Sequence, residues 1–186
     1  AAMVGLLSLL AMFFYMLRFA RDVMRRPRLT LMLSVIFAAT AVISFFSSKL
    51  NPYFVPIAVV PLLVTALISP DFAMMANIIA LIFIGVISDS TTSSSSQQIL
   101  SILFSGLMSA PAGVFIMRKN QQRVIVFFAG FAMTLINVAA MLCIGLLTNN
   151  NISGVWNDAL WCGGGTFFSA VLCIAFQPLL ETVFNL

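Results

Sequence analysis

The sequence predicts an all-α, polytopic integral membrane bundle of about seven transmembrane helices, with its N-terminus outside and its C-terminus in the cytoplasm. Composition is the first reason. Of 186 residues, 62% are hydrophobic and only 8% charged, and the mean hydropathy is +1.13. Soluble domains are about half apolar and a quarter charged. Nine basic and five acidic side chains cannot cover a domain of this size, so lipid is the solvent for most of the surface. The second reason is the spacing of apolar runs. Seven can be read, at 2–17, 29–47, 54–69, 72–88, 97–117, 123–147 and 159–184, separated by polar punctuation. A helix rises ~1.5 Å per residue, so a bilayer core of ~30 Å asks for ~20 residues. Most runs approach this length, the last two exceed it, and the third and fourth are short. Residues 1–186 read as a single transmembrane domain.

The first run leads straight into an arginine cluster of stop-transfer type, with no basic segment before it, so a cleavable signal peptide is not expected. Both ends of the chain fall inside hydrophobic runs, and the chain is expected to be a piece of a longer one. The third and fourth runs are nearly continuous over 53–88, too long for one straight span. The break falls at Ser69-Pro70-Asp71. Serine suits the N-cap, proline the first helical position, and aspartate the positive end of the helix dipole. A tight helical hairpin is expected there, with Pro56 and Pro61 kinking the third span rather than ending it. The fifth run places Ser101, Ser105, Ser109 and Gly113 at four-residue spacing, a stripe of small residues for close helix packing. Near the start of the seventh run, Gly163, Gly164 and Gly165 are a candidate hinge, because three consecutive glycines weaken a helix.

Orientation follows from the basic residues. Arg18, Arg21, Arg25, Arg26 and Arg28 fill the first loop, and Arg118, Lys119 and Arg123 the loop after the fifth run. With seven spans both clusters fall on one side, which the positive-inside rule makes cytoplasmic. Merging the third and fourth runs would separate the clusters, so the charge pattern supports the hairpin independently. Tyr53, Trp156 and Trp161 then lie near the outer interface and Tyr15 near the inner one. The serine-rich tract at 93–96 reads as a hydrated outer loop. Asn151-Ile152-Ser153 matches a glycosylation sequon, discounted because such short matches are common by chance.

Several chemistries are excluded. The chain has no histidine, so it carries no Ser-His-Asp triad and no histidine-based metal or acid–base site. Cys143, Cys162 and Cys173 have no metal-ligand spacing and read as apolar thiols. The basic clusters lack interleaved aromatics, which argues against nucleic acid as a partner. No ionisable residue falls near the middle of a run, so proton-coupled pumping is disfavoured. The remaining interior polar groups are Asn77, Asn137 and Gln177, candidate contacts between helices or parts of a ligand pocket.

Three features together resemble the membrane domain of the bacterial seven-transmembrane HD-phosphohydrolase family. They are the seven runs, the basic loop from Arg118 leading into a helix with Thr134-Leu135-Ile136-Asn137, and the closing Gln177-Pro178-Leu179-Leu180-Glu181-Thr182-Val183-Phe184. The last is similar to the family's P-L-[LI]-E-x-x-F segment, which leads toward the catalytic domain. The resemblance implies a sensory or anchoring module in the bacterial cytoplasmic (inner) membrane, covalently joined to an extracellular domain and a cytoplasmic HD domain. The parent would be a metal-dependent cyclic-dinucleotide phosphodiesterase, of which cyclic-di-AMP hydrolases are examples, with metal ions expected only in that HD domain. This chain itself would hold no cofactor and perform no catalysis. The last helix would relay the signal, with Glu181 a candidate for output coupling to the cytoplasmic domain. A homodimer and a small-molecule ligand stay open as partners beside the bilayer. Two other readings suit the same composition, a small-molecule-binding membrane subunit of a transporter and a structural membrane protein of envelope assembly.

Overall fold

The computed structural model describes residues 27–92, 96–118, 123–148 and 152–184. The first run, at 2–17, lies outside them, as do Arg18, Arg21, Arg25, Arg26, Lys119, Tyr15, Asn151 and the tract at 93–95. Helices α1 (Pro27–Leu50), α2 (Val59–Leu67), α3 (Pro70–Thr92), α4 (Ser96–Met117), α5 (Arg123–Thr148) and α6 (Ile152–Phe184) follow one another in the described chain. All but α2 are long and apolar enough to cross a membrane. Their outward faces confirm the solvent. Leu31, Phe46, Phe115, Phe128 and Leu135 are all exposed, Phe115 to 75%. Water would penalise that much exposed apolar area, and acyl chains accept it. The protein is a multi-pass helical membrane bundle.

The third run differs from expectation. The sequence suggests a kinked spanning helix over 54–69, whereas helix is confined to Val59–Leu67 and residues 54–58 are non-helical. At ~1.5 Å per residue, α2 is only ~13 Å long, less than half of a bilayer core. Pro56 lies outside the helix, and Pro61 sits in its first turn, where no N–H is required. Neither kinks a span. The physical reason is enclosure by protein. Every residue from Val59 to Ala66 is buried, and α2 packs against each of the other five described helices. A helix apolar on all sides belongs at the centre. Irregular backbone at membrane depth is tolerated where protein encloses it, and Val55, Ile57 and Ala58 are indeed buried. Local bonds supply its donors: Phe54 N–H to Asn51 O at 3.0 Å, Val55 N–H to Tyr53 O and Ile57 N–H to Val55 O, both at 2.9 Å.

The turn between α2 and α3 follows the chemistry read at 69–71. The Phe72 N–H donates to Ser69 Oγ at 3.3 Å, Pro70 opens α3, and Asp71 lies in its first turn. Around the central helix, α3, α4, α5 and α6 pack successively in chain order, and α1 lies against α3. Closest approach is set by small residues. A Cβ on Gly130 would meet the Ala170 methyl of α6, and one on Gly113 would meet the Met133 side chain of α5. Ser101, Ser105, Ser109 and Gly113 all face the interior.

Candidate functional site

The glycine triplet lies within α6, which runs through Gly163, Gly164 and Gly165 without interruption. Its three members meet different surroundings. A Cβ at Gly163 would stand 2.5 Å from Val138 Cγ2, and one at Gly164 would stand 3.4 Å from the Phe54 ring. At Gly165 the neighbour is backbone, with Val55 O at 2.8 Å, Val55 N at 2.9 Å and Phe54 C at 3.2 Å. Gly165 therefore admits the irregular segment at 54–55 against α6. The ring of Phe54 is held on the same helix by Trp161 and Phe168, each with ring centroids 5.8 Å from it.

Asn137 projects from α5 into the interface with α6, where α5 and α6 make their most extensive packing. Its Nδ2 donates to Thr166 Oγ1 and approaches Cys162 Sγ at 3.3 Å, while Ser105 Oγ of α4 lies 3.9 Å from the same sulfur. Three helices thus share one buried polar layer. The Asn137 Oδ1 is buried without a partner. Measured interhelical hydrogen bonds in membranes average ~0.6 kcal/mol and reach ~1.7. Asn137→Ala removes both donor contacts and leaves a void, so a loss of about 1–2 kcal/mol is expected. Thermal unfolding in detergent measures it, and an unchanged midpoint would show that this layer contributes nothing.

Thr166 belongs to a longer series on α6. Asp158, Cys162, Thr166, Ser169, Cys173, Gln177 and Glu181 recur every three or four residues, the spacing of one helix side. Cys162, Thr166, Ser169, Cys173 and Gln177 are buried. Gln177 Nε2 donates to Glu181 Oε1 at 2.9 Å, and Gln177 Oε1 is buried without a partner. Asn77, on α3, is also buried, with Oδ1 unpartnered. Asn77, Asn137 and Gln177 lie on three different helices, α3, α5 and α6. Of the cysteines, Cys162 and Cys173 are buried, whereas Cys143 is on an exposed face. The backbone of Arg28 lies in α1 and that of Arg123 opens α5, and Arg118 is exposed just beyond α4.

A polar cavity lies at one end of the described helices. It measures about 240 Å³ and is lined by Tyr53, by Gln97, Gln98 and Ser101 of α4, by Met141, Gly145 and Thr148 of α5, and by Val155 and Asp158 of α6. The Tyr53 hydroxyl donates to the Asp158 carboxylate, and Gln98 bonds to the Tyr53 oxygen. Burial pushes the Tyr53 hydroxyl above its ordinary pKa, and the adjacent Asp158 charge raises it further. Tyr53 stays protonated and keeps donating through the neutral range. The sequence marks Tyr53 as an interfacial anchor and shows Asp158 only as a charge at the end of a run, just before residue 159. Their equal depth at the ends of separate runs was the available signal.

Apolar spans, a buried polar layer and a polar cavity at one end make the described residues a helical membrane domain. The chain belongs to the family described as 7TM receptor with intracellular HD hydrolase, whose model matches residues 1–186. It is similar to the cyclic-di-AMP phosphodiesterase PgpH of Bacillus subtilis (strain 168), with 27% identity over 136 residues. That match covers 72% of this chain and 19% of the relative, so the chain corresponds to about a fifth of the relative's length. No solved structure matches the chain.

Proposed function

We propose that this chain is the sensory and anchoring module of a bacterial inner-membrane HD phosphohydrolase that hydrolyses a cyclic dinucleotide. In this reading the third run crosses the membrane as the non-helical segment 54–58 followed by α2, and seven crossings place the N-terminus outside, the arginine-rich loops inside and the end of α6 at the cytoplasmic face. A state change at the outer end reaches the hydrolase through α6. The observation that supports it is the form of α6 itself. It is an unbroken helix of 33 residues, ~50 Å long at ~1.5 Å per residue, and it begins at the cavity. Its buried polar side chains give discrete partners to exchange when the helix rotates or slides. Glu181, one turn beyond Gln177 and bonded to it, is positioned for output, and the glycine triplet supplies the place where α6 can bend. The ligand must bind two bundle states unequally to shift hydrolysis.

Helical phase provides the test. In the full-length protein in nanodiscs, one alanine inserted between Thr182 and Val183 rotates everything beyond it by ~100°, whereas seven residues restore the phase. The single insertion is expected to change cyclic-di-AMP hydrolysis severalfold, and the seven-residue insertion to return it toward the wild-type rate. Identical rates in all three proteins would contradict the relay.

A further inference from the structure

We propose that the cavity between α4, α5 and α6 binds a small organic ammonium ion, with Asp158 as its counter-ion. The proposal deepens the sensory reading by naming the chemical class that the module takes. It rests on where the protons in the cavity are already committed. Ser101 Oγ donates to Gln97 O at 2.9 Å, and Thr148 Oγ1 donates to Ile144 O at 2.8 Å. The Tyr53 proton goes to Asp158, and Gln98 is bonded to the Tyr53 oxygen. The hydroxyl oxygens of Ser101 and Thr148 are therefore left as acceptors. An ionised carboxylate accepts only, with about four lone-pair sites, of which Tyr53 uses one. Among the lining residues there is no lysine or arginine. The cavity offers carboxylate and hydroxyl acceptors, its side-chain donors are neutral amides and hydroxyls, and its lining charge is negative.

An ammonium group, with three donors and no acceptor, is the complement. Met141, Gly145 and Val155 form the apolar part of the lining, which suits a short hydrocarbon stem. Size separates this ligand from a bare metal ion. A space of about 240 Å³ holds several waters and is too roomy for one bare ion held by a single carboxylate. The volume also falls below the ~300–1,000 Å³ of drug-sized pockets. The ligand is small.

Calorimetric titration of the protein in nanodiscs tests this with ethanolammonium and the methyl- to butylammonium series. The neutral alcohols and carboxylates of matched length serve as controls. At least one ammonium ion is expected to bind tenfold or more tightly than its neutral counterpart, and the carboxylates not at all. Asp158→Asn is expected to remove that preference, and Gln97→Ala, at the exposed rim, to weaken binding about twofold to threefold. Equal binding of ammonium ions and alcohols by the wild-type protein overturns the proposal whether or not any variant folds. So does an undiminished preference in folded Asp158→Asn. Hydrolysis is not the readout, so a failed relay leaves the binding result intact, and failed binding leaves the phase test of α6 standing.

Discussion

Gly165→Ala is expected to destabilise the bundle strongly, while Gly164→Ala, one residue away, is neutral or stabilising. The two substitutions make the same chemical change in the same helix. At Gly165 the new methyl would lie 2.8–3.2 Å from backbone atoms of Phe54 and Val55. Backbone cannot swing aside as a side chain can, so the segment at 54–58 must move off α6. Overpacking costs ~1–3 kcal/mol, occasionally more, and displaced irregular backbone also loses the enclosure that makes it tolerable at that depth. At Gly164 the nearest atom is Phe54 Cε2 at 3.4 Å, an ordinary contact. Alanine there regains up to ~1 kcal/mol of helix propensity. Thermal unfolding of the two variants in detergent gives the comparison. Equal midpoints would mean that Gly165 does not seat the 54–55 backbone.

Leu62→Ala is the second large effect. Leu62 is fully buried on α2, the helix that touches all the other described helices. Buried leucine-to-alanine changes cost ~2–5 kcal/mol in water-soluble cores. Lipid is as apolar as a leucine-lined interior, so the transfer part of that cost is small here and lost packing is what remains. A loss of about 2 kcal/mol is expected, read as a lowered unfolding midpoint. Leu135→Ala on the lipid-facing side of α5, where Leu135 is 57% exposed, is expected to change stability by less than ~0.5 kcal/mol. A similar cost at both positions would remove the distinction between hub and periphery.

These two sites mark the boundary of what the sequence could reveal. Apolar run length located the helices now seen as α1, α3, α4, α5 and α6, because a bilayer imposes a length on whatever crosses it. Local chemistry located the break at Ser69-Pro70-Asp71, because a helix start needs a cap and tolerates proline. The nature of the third run was not legible in the same way. An apolar segment is equally satisfied by lipid and by five neighbouring helices, and hydropathy does not distinguish them. Pro56 and Pro61 were the local signs that helix does not begin at 54, since proline is tolerated in a first turn and not in a helix interior. The glycines at 163–165 were legible as unusual, but the sequence does not say what lies against each. The cavity was the least legible. Tyr53, Gln98 and Asp158 are far apart in the chain; run ends put them at one depth, and only the packing of α4, α5 and α6 brings them together.

Labelling from the bilayer tests the central claim most directly, that a short, fully enclosed helix organises the membrane bundle. The protein would be reconstituted with a lipid carrying a photoactivated carbene in its acyl chain, and modified residues located by mass spectrometry. Phe46, Phe115, Phe128 and Leu135 should be labelled, while Val59 to Ala66 stay unmodified. Labelling of Val59–Ala66 as strong as that of the α5 surface would place the third run in lipid and contradict the account.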